Sequence, residues 1–241
     1  MENTSYSTTV TPVVEYFKEH PLLHQGPPML YQAFNELDHS RLPDVIESIT
    51  GPEDMFCEES VCSMRVNTHT TKEQEHNADV MLGLVYMMVG GVDEAHDLVL
   101  PYSWPCETIW GGPPVLDSPA LGSATHCHAL VHRMEGEHPG ELGMMGWDNA
   151  NFWFGRVPSK HELCHKFSVA CRNLQLEHKF NSGDKELCDK IRGNKPWNWT
   201  SITNLCSKSN QSLEIAAFCN RLHNLEIKML FDHCNRSVNS S

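Results

Sequence analysis

The chain has 241 residues, 40% of them hydrophobic and 20% charged, and a formal net charge of −13 at pH 7. This composition is that of a folded globular chain rather than a disordered one. The acidic balance argues against a nucleic-acid partner, because it would repel phosphates. No run of about 18 apolar residues is present, so no helical membrane span is expected.

The sequence divides into an arm, one domain and a tail. Residues 1–27 contain three prolines and lack both the basic and the apolar segment of a signal peptide. We expect a flexible arm over 1–27, a single helical domain over 28–236 and a flexible tail over 237–241. The missing signal peptide favours a cytoplasmic location, and secretion would be expected only if the sequence had been trimmed.

The spacing of apolar residues predicts the helices of the first half of the chain. Short helices are expected over 29–37 and 42–49, and two longer ones over 72–100. The first of the longer pair should end at Gly90, because glycine readily adopts the left-handed conformation that closes a helix. Five prolines within residues 101–119 then predict a long irregular loop.

The second half of the chain also reads as helical. Helices are expected over 126–136 and 147–157, over 159–174 and, with the strongest periodicity, over 212–234. Alternating runs of β-branched residues are nearly absent. The predicted fold class is therefore all-α.

An internal similarity between two segments suggests how these helices are arranged. Aligning the segment around Gly90 with that around Gly136 places Asp93 opposite Asp148 and His96 opposite Asn151. A helix that ends in glycine, a turn with aspartate and a second helix are typical of tetratricopeptide-type hairpins. We therefore predict antiparallel helical hairpins with tetratricopeptide-like packing.

The stretch HCHALVHRMEG holds the candidate site. On a helix, His128, His132 and Glu135 fall at i, i+4 and i+7 and share one face, whereas His126 and Arg133 point elsewhere. Two imidazoles one helical turn apart can converge on a single metal ion. This face is therefore the predicted centre of the chemistry.

The sequence predicts a metal-assisted enzyme, most simply a hydrolase of a small-molecule substrate, with zinc or iron as the divalent metal. His96, His128 and His132 would hold the ion, because three protein ligands leave one position open for a reactive water. Glu135 would take the proton of that water. The order differs from the His-Glu-x-x-His helix of zincins, because Ala129 stands where their base would be.

Three further residues complete the predicted site. Arg133 or Arg156 would steady an anionic group of the substrate, since a guanidinium binds such groups through paired hydrogen bonds. Asn151, which aligns with His96 in the two similar segments, is expected to face the same groove between hairpins. All three would thus lie around the histidines.

Other interpretations compete with a metal enzyme. One alternative predicts that the histidines are hydrogen-bonded packing residues of a helix interface. The aromatic residues at 104, 110, 147 and 152–154 would suit an apolar cavity, as in a lyase or cyclase that uses no metal. Helical hairpins also serve as peptide-binding scaffolds without catalysis, here for a basic partner segment.

Two remaining patterns receive a plainer interpretation. His161 and His165 form a second pair spaced one turn apart, and flanking lysines favour a solvated surface there. The ten cysteines include no Cys-x2-Cys pair, so a zinc ribbon is not expected. Most are predicted to be small buried thiols, and Cys57 with Cys62 is the pair to test first for a disulfide.

The run HALVHRMEG followed by DNANFWFGRV, with VDEAHDL before it and FDHCNR near the end, resembles a family of helical proteins from bacteria and fungi. That family carries a His-x3-His-Arg-x-Glu motif followed by an Asn-Ala-x-x-Trp-like helix. The resemblance spans about residues 78–235, with an insertion between Glu137 and Trp147 that the family's shorter form lacks. It implies a helical fold and no particular activity.

Overall fold

The computed structural model describes residues 71–89, 92–108, 112–137, 144–177 and 198–239. These residues form seven α-helices and no strand, with one isolated bridge between Thr108 and Gly112. The helices are α1 (Lys72–Val89), α2 (Val92–Ser103), α3 (Leu121–Glu135), α4 (Gly146–Phe154), α5 (Glu162–Glu177), α6 (Trp199–Cys206) and α7 (Leu213–Val238). A short 3-10 turn, Ser209–Gln211, precedes α7. The all-α prediction is confirmed for these residues, and the arm over 1–27 and the helices predicted over 29–49 lie outside them.

The helix ends follow from local chemistry. Gly136 has a φ of 63° and caps α3 through its N–H to the carbonyl of His132, as predicted. Gly90, its expected counterpart, lies outside the described residues. The side chain of Ser212 accepts from the N–H of Ile215 at 3.4 Å and caps α7.

Two elements differ from the sequence prediction. Helix α2 continues to Ser103, past the proline at which the irregular loop was expected to begin. Pro101 removes one backbone donor, but the Trp104 N–H still reaches the carbonyl of Leu100 at 2.9 Å and closes another turn. Helix α6 was not predicted, because its eight residues are too few to show periodicity; the Asn198 side chain caps it by accepting from the Thr200 N–H at 3.0 Å.

The core has two parts. The larger lies between α1, α2, α3 and the second half of α7, and contains Leu84, Leu130 and Phe231. The smaller lies between α5, α6 and the first half of α7, around Ile202 and Phe218. Helix α3 is buried along nearly its whole length, so its polar side chains need partners inside the protein.

Close backbone packing fixes α4 against α3. A Cβ atom at Gly146 would lie 2.6 Å from the carbonyl oxygen of His132 and 2.7 Å from the nitrogen of Gly136. Only glycine fits this approach, which brings the first turns of α4 onto the histidine-bearing end of α3. The hairpin arrangement and the tetratricopeptide-like packing stay predictions.

Two further sequence expectations concern the whole described region. None of its helices is both long enough and apolar enough to cross a bilayer. Its cysteines are all free thiols, and most of them are buried, as predicted; the buried ones are Cys127, Cys171, Cys206, Cys219 and Cys234. The Cys57 and Cys62 pair lies outside the described residues.

Candidate metal centre

Three imidazoles from two helices meet between α2 and α3. One ring nitrogen from each of His96, His128 and His132 lies within 4.8 Å of the other two. His128 is fully buried and His132 is 5% exposed, whereas the side chain of His96 is 20% exposed. The group therefore has a buried side, on α3, and an open side, on α2.

Helical geometry accounts for this meeting. His128 and His132 are one turn apart on α3 and their ring centroids are 4.8 Å apart. Helix α2 packs directly on α3 and brings the ring of His96 to 4.7 Å from that of His128 and 5.3 Å from that of His132. The spacing within α3 was visible in the sequence, and the packing of α2 supplies the third ring.

Each imidazole has an oxygen partner on the same ring nitrogen. Nδ1 of His128 lies 2.9 Å from the hydroxyl of Ser103, and Nδ1 of His132 lies 2.7 Å from Oε2 of Glu135. Nδ1 of His96 lies 3.0 Å from a carboxylate oxygen of Asp97. Oxygen partners on one ring nitrogen orient the other nitrogen of metal-binding histidines, so this pattern leaves three Nε2 atoms as candidate ligands.

Two residues of α4 complete the surroundings. The indole of Trp153 stacks on the ring of His128 at 3.8 Å with an interplanar angle of 26°, which restricts rotation of that imidazole. The side-chain nitrogen of Asn149 lies 3.1 Å from Nε2 of His132. Nε2 of His128 is buried and has no hydrogen-bond partner among the described residues. An unpaired buried imidazole nitrogen is costly unless a ligand or water satisfies it.

Electrostatics keep the two α3 histidines neutral near pH 7. Burial holds the pKa of His128 well below its ordinary value, and the neighbouring His132 and His96 lower it further. Burial also lowers the pKa of His132, although the hydrogen bond to Glu135 opposes that change. Neutral imidazole is the form that binds metal ions.

The distances within the trio suit a small ion after modest adjustment. Zinc binds imidazole nitrogen at about 2.0–2.1 Å, so tetrahedral ligands lie roughly 3.3 Å apart. The nitrogens here lie within 4.8 Å of one another, and small rotations of the imidazoles would close the difference. The trio is the one such group of three or more His, Cys, Asp or Glu ligand atoms among the described residues.

Arg133 does not lie with the trio. Its guanidinium forms a buried ion pair with Glu226 of α7, donates to Nδ1 of His223 at 3.1 Å and lies 5.2 Å from the centre of the Phe154 ring. Burial raises the pKa of Glu226, and the arginine opposes this rise. This guanidinium is engaged in the core and is not available to a substrate at the histidines.

Arg156 lies against aromatic rings, and Asn151 is hydrogen-bonded to another asparagine. The Arg156 guanidinium lies 4.4 Å from the ring centre of Phe152 and 4.8 Å from that of Trp104. The Asn151 amide donates to the side-chain oxygen of Asn204 at 3.4 Å. The alignment of the two similar segments placed Asn151 opposite His96, but the side chain of Asn151 contacts Asn204 instead.

The aromatic residues fall into separate groups. Trp104, Phe152 and Trp153 are in mutual ring contact beside Arg156, with centroids 5.4–6.2 Å apart, and Trp153 also stacks on His128. Trp147 belongs to the smaller core, whereas Phe154 stacks on Trp199 in the larger core at 5.1 Å. Residue 110 is outside the described part of the chain. The cavity of a lyase or cyclase stays a prediction.

The second histidine pair lies at the start of α5. His161 immediately precedes the helix, in a turn closed by its N–H to the carbonyl of Pro158 at 2.8 Å. Its Nε2 lies 3.4 Å from the hydroxyl of Ser123, its ring lies 5.2 Å from that of His233, and burial lowers its pKa to about 4. The solvated surface expected here is found at His165, which is exposed, whereas His161 is partly buried.

Sequence reasoning assigned no role to Ser103. Asn149 and Trp153 entered it only through the Asn-Ala-x-x-Trp-like motif, and Trp153 also as an aromatic residue of an apolar cavity. Ser103 is seven residues after His96, which is two helical turns, so the helical period would have aligned them had α2 been expected to pass Pro101. Asn149 and Trp153 are set by the close packing of α4 on α3 at Gly146, a feature with no local pattern. Asp97, in contrast, is adjacent to His96 in the chain.

Comparison with known proteins attaches no family to this geometry, and the resemblance to helical bacterial and fungal proteins stays a prediction. No protein-family model, no curated protein and no solved structure matches the chain.

Proposed function

We propose that this protein is a metal-dependent enzyme, most simply a hydrolase of a small-molecule substrate, with zinc or iron held by His96, His128 and His132. One observation carries the proposal: the three imidazoles converge while each Nδ1 meets an oxygen of Asp97, Ser103 or Glu135. Packing histidines need no such common orientation. In a metal centre, a hydrogen bond at one nitrogen of each ligating imidazole fixes the direction in which the other nitrogen faces the ion.

The proposed chemistry follows from the number of ligands. Three protein ligands leave a coordination position for water, and a zinc ion lowers the pKa of a bound water to about 7. The partial exposure of His96 gives the open position a route to solvent. This combination is typical of catalytic rather than structural sites, which are closed by a fourth side chain.

Two polar side chains beside the three histidines, those of Glu135 and Asn149, also have a place in the proposal. Glu135 is bound to Nδ1 of His132, so we assign it first to orienting that ligand; its part in moving a proton stays a prediction. We assign contact with the substrate to Asn149 in place of Arg133 or Arg156. Its amide lies at Nε2 of His132, and metal binding there would free it to donate to a substrate oxygen.

Metal analysis of the purified full-length chain tests the proposal. After treatment with chelator and dialysis against zinc or ferrous iron, the wild type should retain about one equivalent of metal. The double variant His128→Ala/His132→Ala should retain none. His96→Gln, at a partly exposed position that tolerates change, should bind but more weakly. His165→Ala, an exposed histidine outside the trio, is the matched control and should bind like the wild type.

Two results would overturn parts of the proposal. Little metal in wild type and variants alike, with thermal unfolding unchanged by chelator, would leave the histidines as packing residues. A peptide-binding scaffold would then be the better interpretation. One equivalent of bound metal without metal-dependent hydrolysis of any of a panel of nitrophenyl esters would reject the hydrolase and keep the metal site.

The hydroxyl of Ser103 gives a more specific prediction. Ser103→Ala should weaken zinc binding by roughly 10- to 100-fold, because the ring of His128 loses the partner that orients it. Competition with a chromophoric chelator measures the affinity. Ser207→Ala is the matched control, since Ser207 likewise donates to a carbonyl one turn back, that of Asn204. Equal affinity in Ser103→Ala and wild type would show that the hydroxyl does not position the ligand.

A further inference from the structure

A cleft of about 540 Å³ opens on another face of the molecule, where the end of α4, the middle of α5 and the start of α6 meet. Its lining includes none of the histidines of the trio and none of their oxygen partners. Binding in this cleft would therefore be independent of the proposed metal site.

The cleft carries a cation although the chain is acidic. The described residues of its lining include Arg172 and no aspartate or glutamate, whereas the whole chain has 31 acidic and 18 basic residues. Arg172 is not paired with a carboxylate among the described residues. A guanidinium that faces a concave surface without an acidic partner attracts anions, and it binds carboxylate, sulfonate or phosphate through paired hydrogen bonds.

The remaining lining divides into an apolar and a hydroxyl-bearing part. Phe154, Val157 and Trp199 supply apolar atoms to the lining, although each of the three is at most 8% exposed. The rings of Phe154 and Trp199 stack on each other. Ser168 and Thr200 add hydroxyl groups. A ligand that matches both parts has a compact apolar body and one anionic end.

We propose that this cleft binds a small organic anion with an apolar body, its charge at Arg172 and its body against the apolar atoms of Phe154, Val157 and Trp199. The volume lies within the usual range for ligand pockets, about 300–1,000 Å³, and far exceeds what an inorganic ion needs. The proposal assigns His165 to this cleft, which gives the exposed histidine of α5 a place outside any metal site.

Calorimetric titration of the full chain with naphthalene sulfonate tests the proposal, with naphthalene methanol as the neutral ligand of the same body. Arg172→Gln should weaken sulfonate binding by about tenfold or more, because a charge-assisted hydrogen bond is lost, and should leave binding of the alcohol unchanged. Ser168→Trp should block both ligands by filling the cleft. Added salt should weaken binding of the sulfonate only.

The controls separate this cleft from general attraction and from the metal centre. Lys208→Gln removes an exposed cation outside the cleft and should bind like the wild type. Binding should also persist in chelator and in His128→Ala/His132→Ala, whatever that variant does to metal content. Equal binding of sulfonate and alcohol, an unchanged Arg172→Gln or an equal loss in Lys208→Gln would overturn the proposal. Circular dichroism of each variant confirms that it is folded.

Discussion

Acidification is expected to unfold this protein steeply. Burial holds the pKa values of His126, His128 and His223 well below their ordinary value of 6.5. The unfolded chain takes up protons at these sites as pH falls through 6.5, and the folded chain does not, so stability is lost toward acid. Well below pH 6.5, each group lowers the free energy of unfolding by about 1.4 kcal/mol per pH unit, and the three together lower it by roughly 4 kcal/mol per pH unit.

The size of this loss can be compared with the stability of ordinary domains. Domains are stable by roughly 5–15 kcal/mol, so two to three pH units of such a loss would suffice to unfold one. Urea unfolding measured from about pH 7 down to about pH 5 checks the slope. Chelator is present throughout, so that release of metal does not contribute. A constant free energy of unfolding over this interval would contradict the prediction.

His126→Leu provides the matched control for the acid effect. The ring of His126 lies among the rings of Phe154, Phe167 and Trp199, and neither of its nitrogens has a hydrogen-bond partner among the described residues. Leucine has a similar volume and no polar atom to bury. The variant should lose part of the pH slope, because one of the histidines whose pKa burial lowers is removed, and should be more stable in acid. An unchanged slope would exclude His126 as a source of the acid effect.

Breaking the ion pair between Arg133 and Glu226 should cause the largest single-site loss of stability, about 3–5 kcal/mol. Both side chains are fully buried, and each has polar atoms without another partner among the described residues. In Arg133→Met the carboxylate of Glu226 is left without its cation and must either stay charged in the core or take up a proton. Both outcomes lower the free energy of unfolding.

A double-mutant cycle tests this interpretation. Arg133→Met/Glu226→Leu removes both charges, and it should be more stable than Arg133→Met alone, because no uncompensated charge remains. Urea unfolding of the wild type, both single variants and the double variant measures the coupling. Additive losses in the double variant would show that the two charges do not depend on each other.

The sequence was informative where a residue's surroundings are local. His128 and His132 share a face because α3 is a regular helix, and Gly136 closes that helix because of its φ. The prediction that His126 and Arg133 point away from this face is confirmed by their contacts with Trp199 and with Glu226. For the side chains of α3, the helical period alone fixes the direction in which each one points.

The sequence was uninformative where distant segments meet. Arg133 and Glu226 are 93 positions apart, and no periodic pattern connects them. Asn151 and Asn204 are similarly separated by 53 positions. Arg156 carries a charge, which suggested an anionic substrate, but a guanidinium also stacks on aromatic rings, and the packing of Trp104 and Phe152 selects that use.

The packing of α7 against α1 also sets when the protein can fold during its synthesis. Leu230 and Phe231 of α7 belong to the same core as Met81 and Leu84 of α1, and the side chain of Gln74 donates to the carbonyl of Val238. A ribosome makes the helices in order, so α1 through α6 emerge with part of their apolar surface uncovered. Closure of this core therefore waits until α7 has left the exit tunnel.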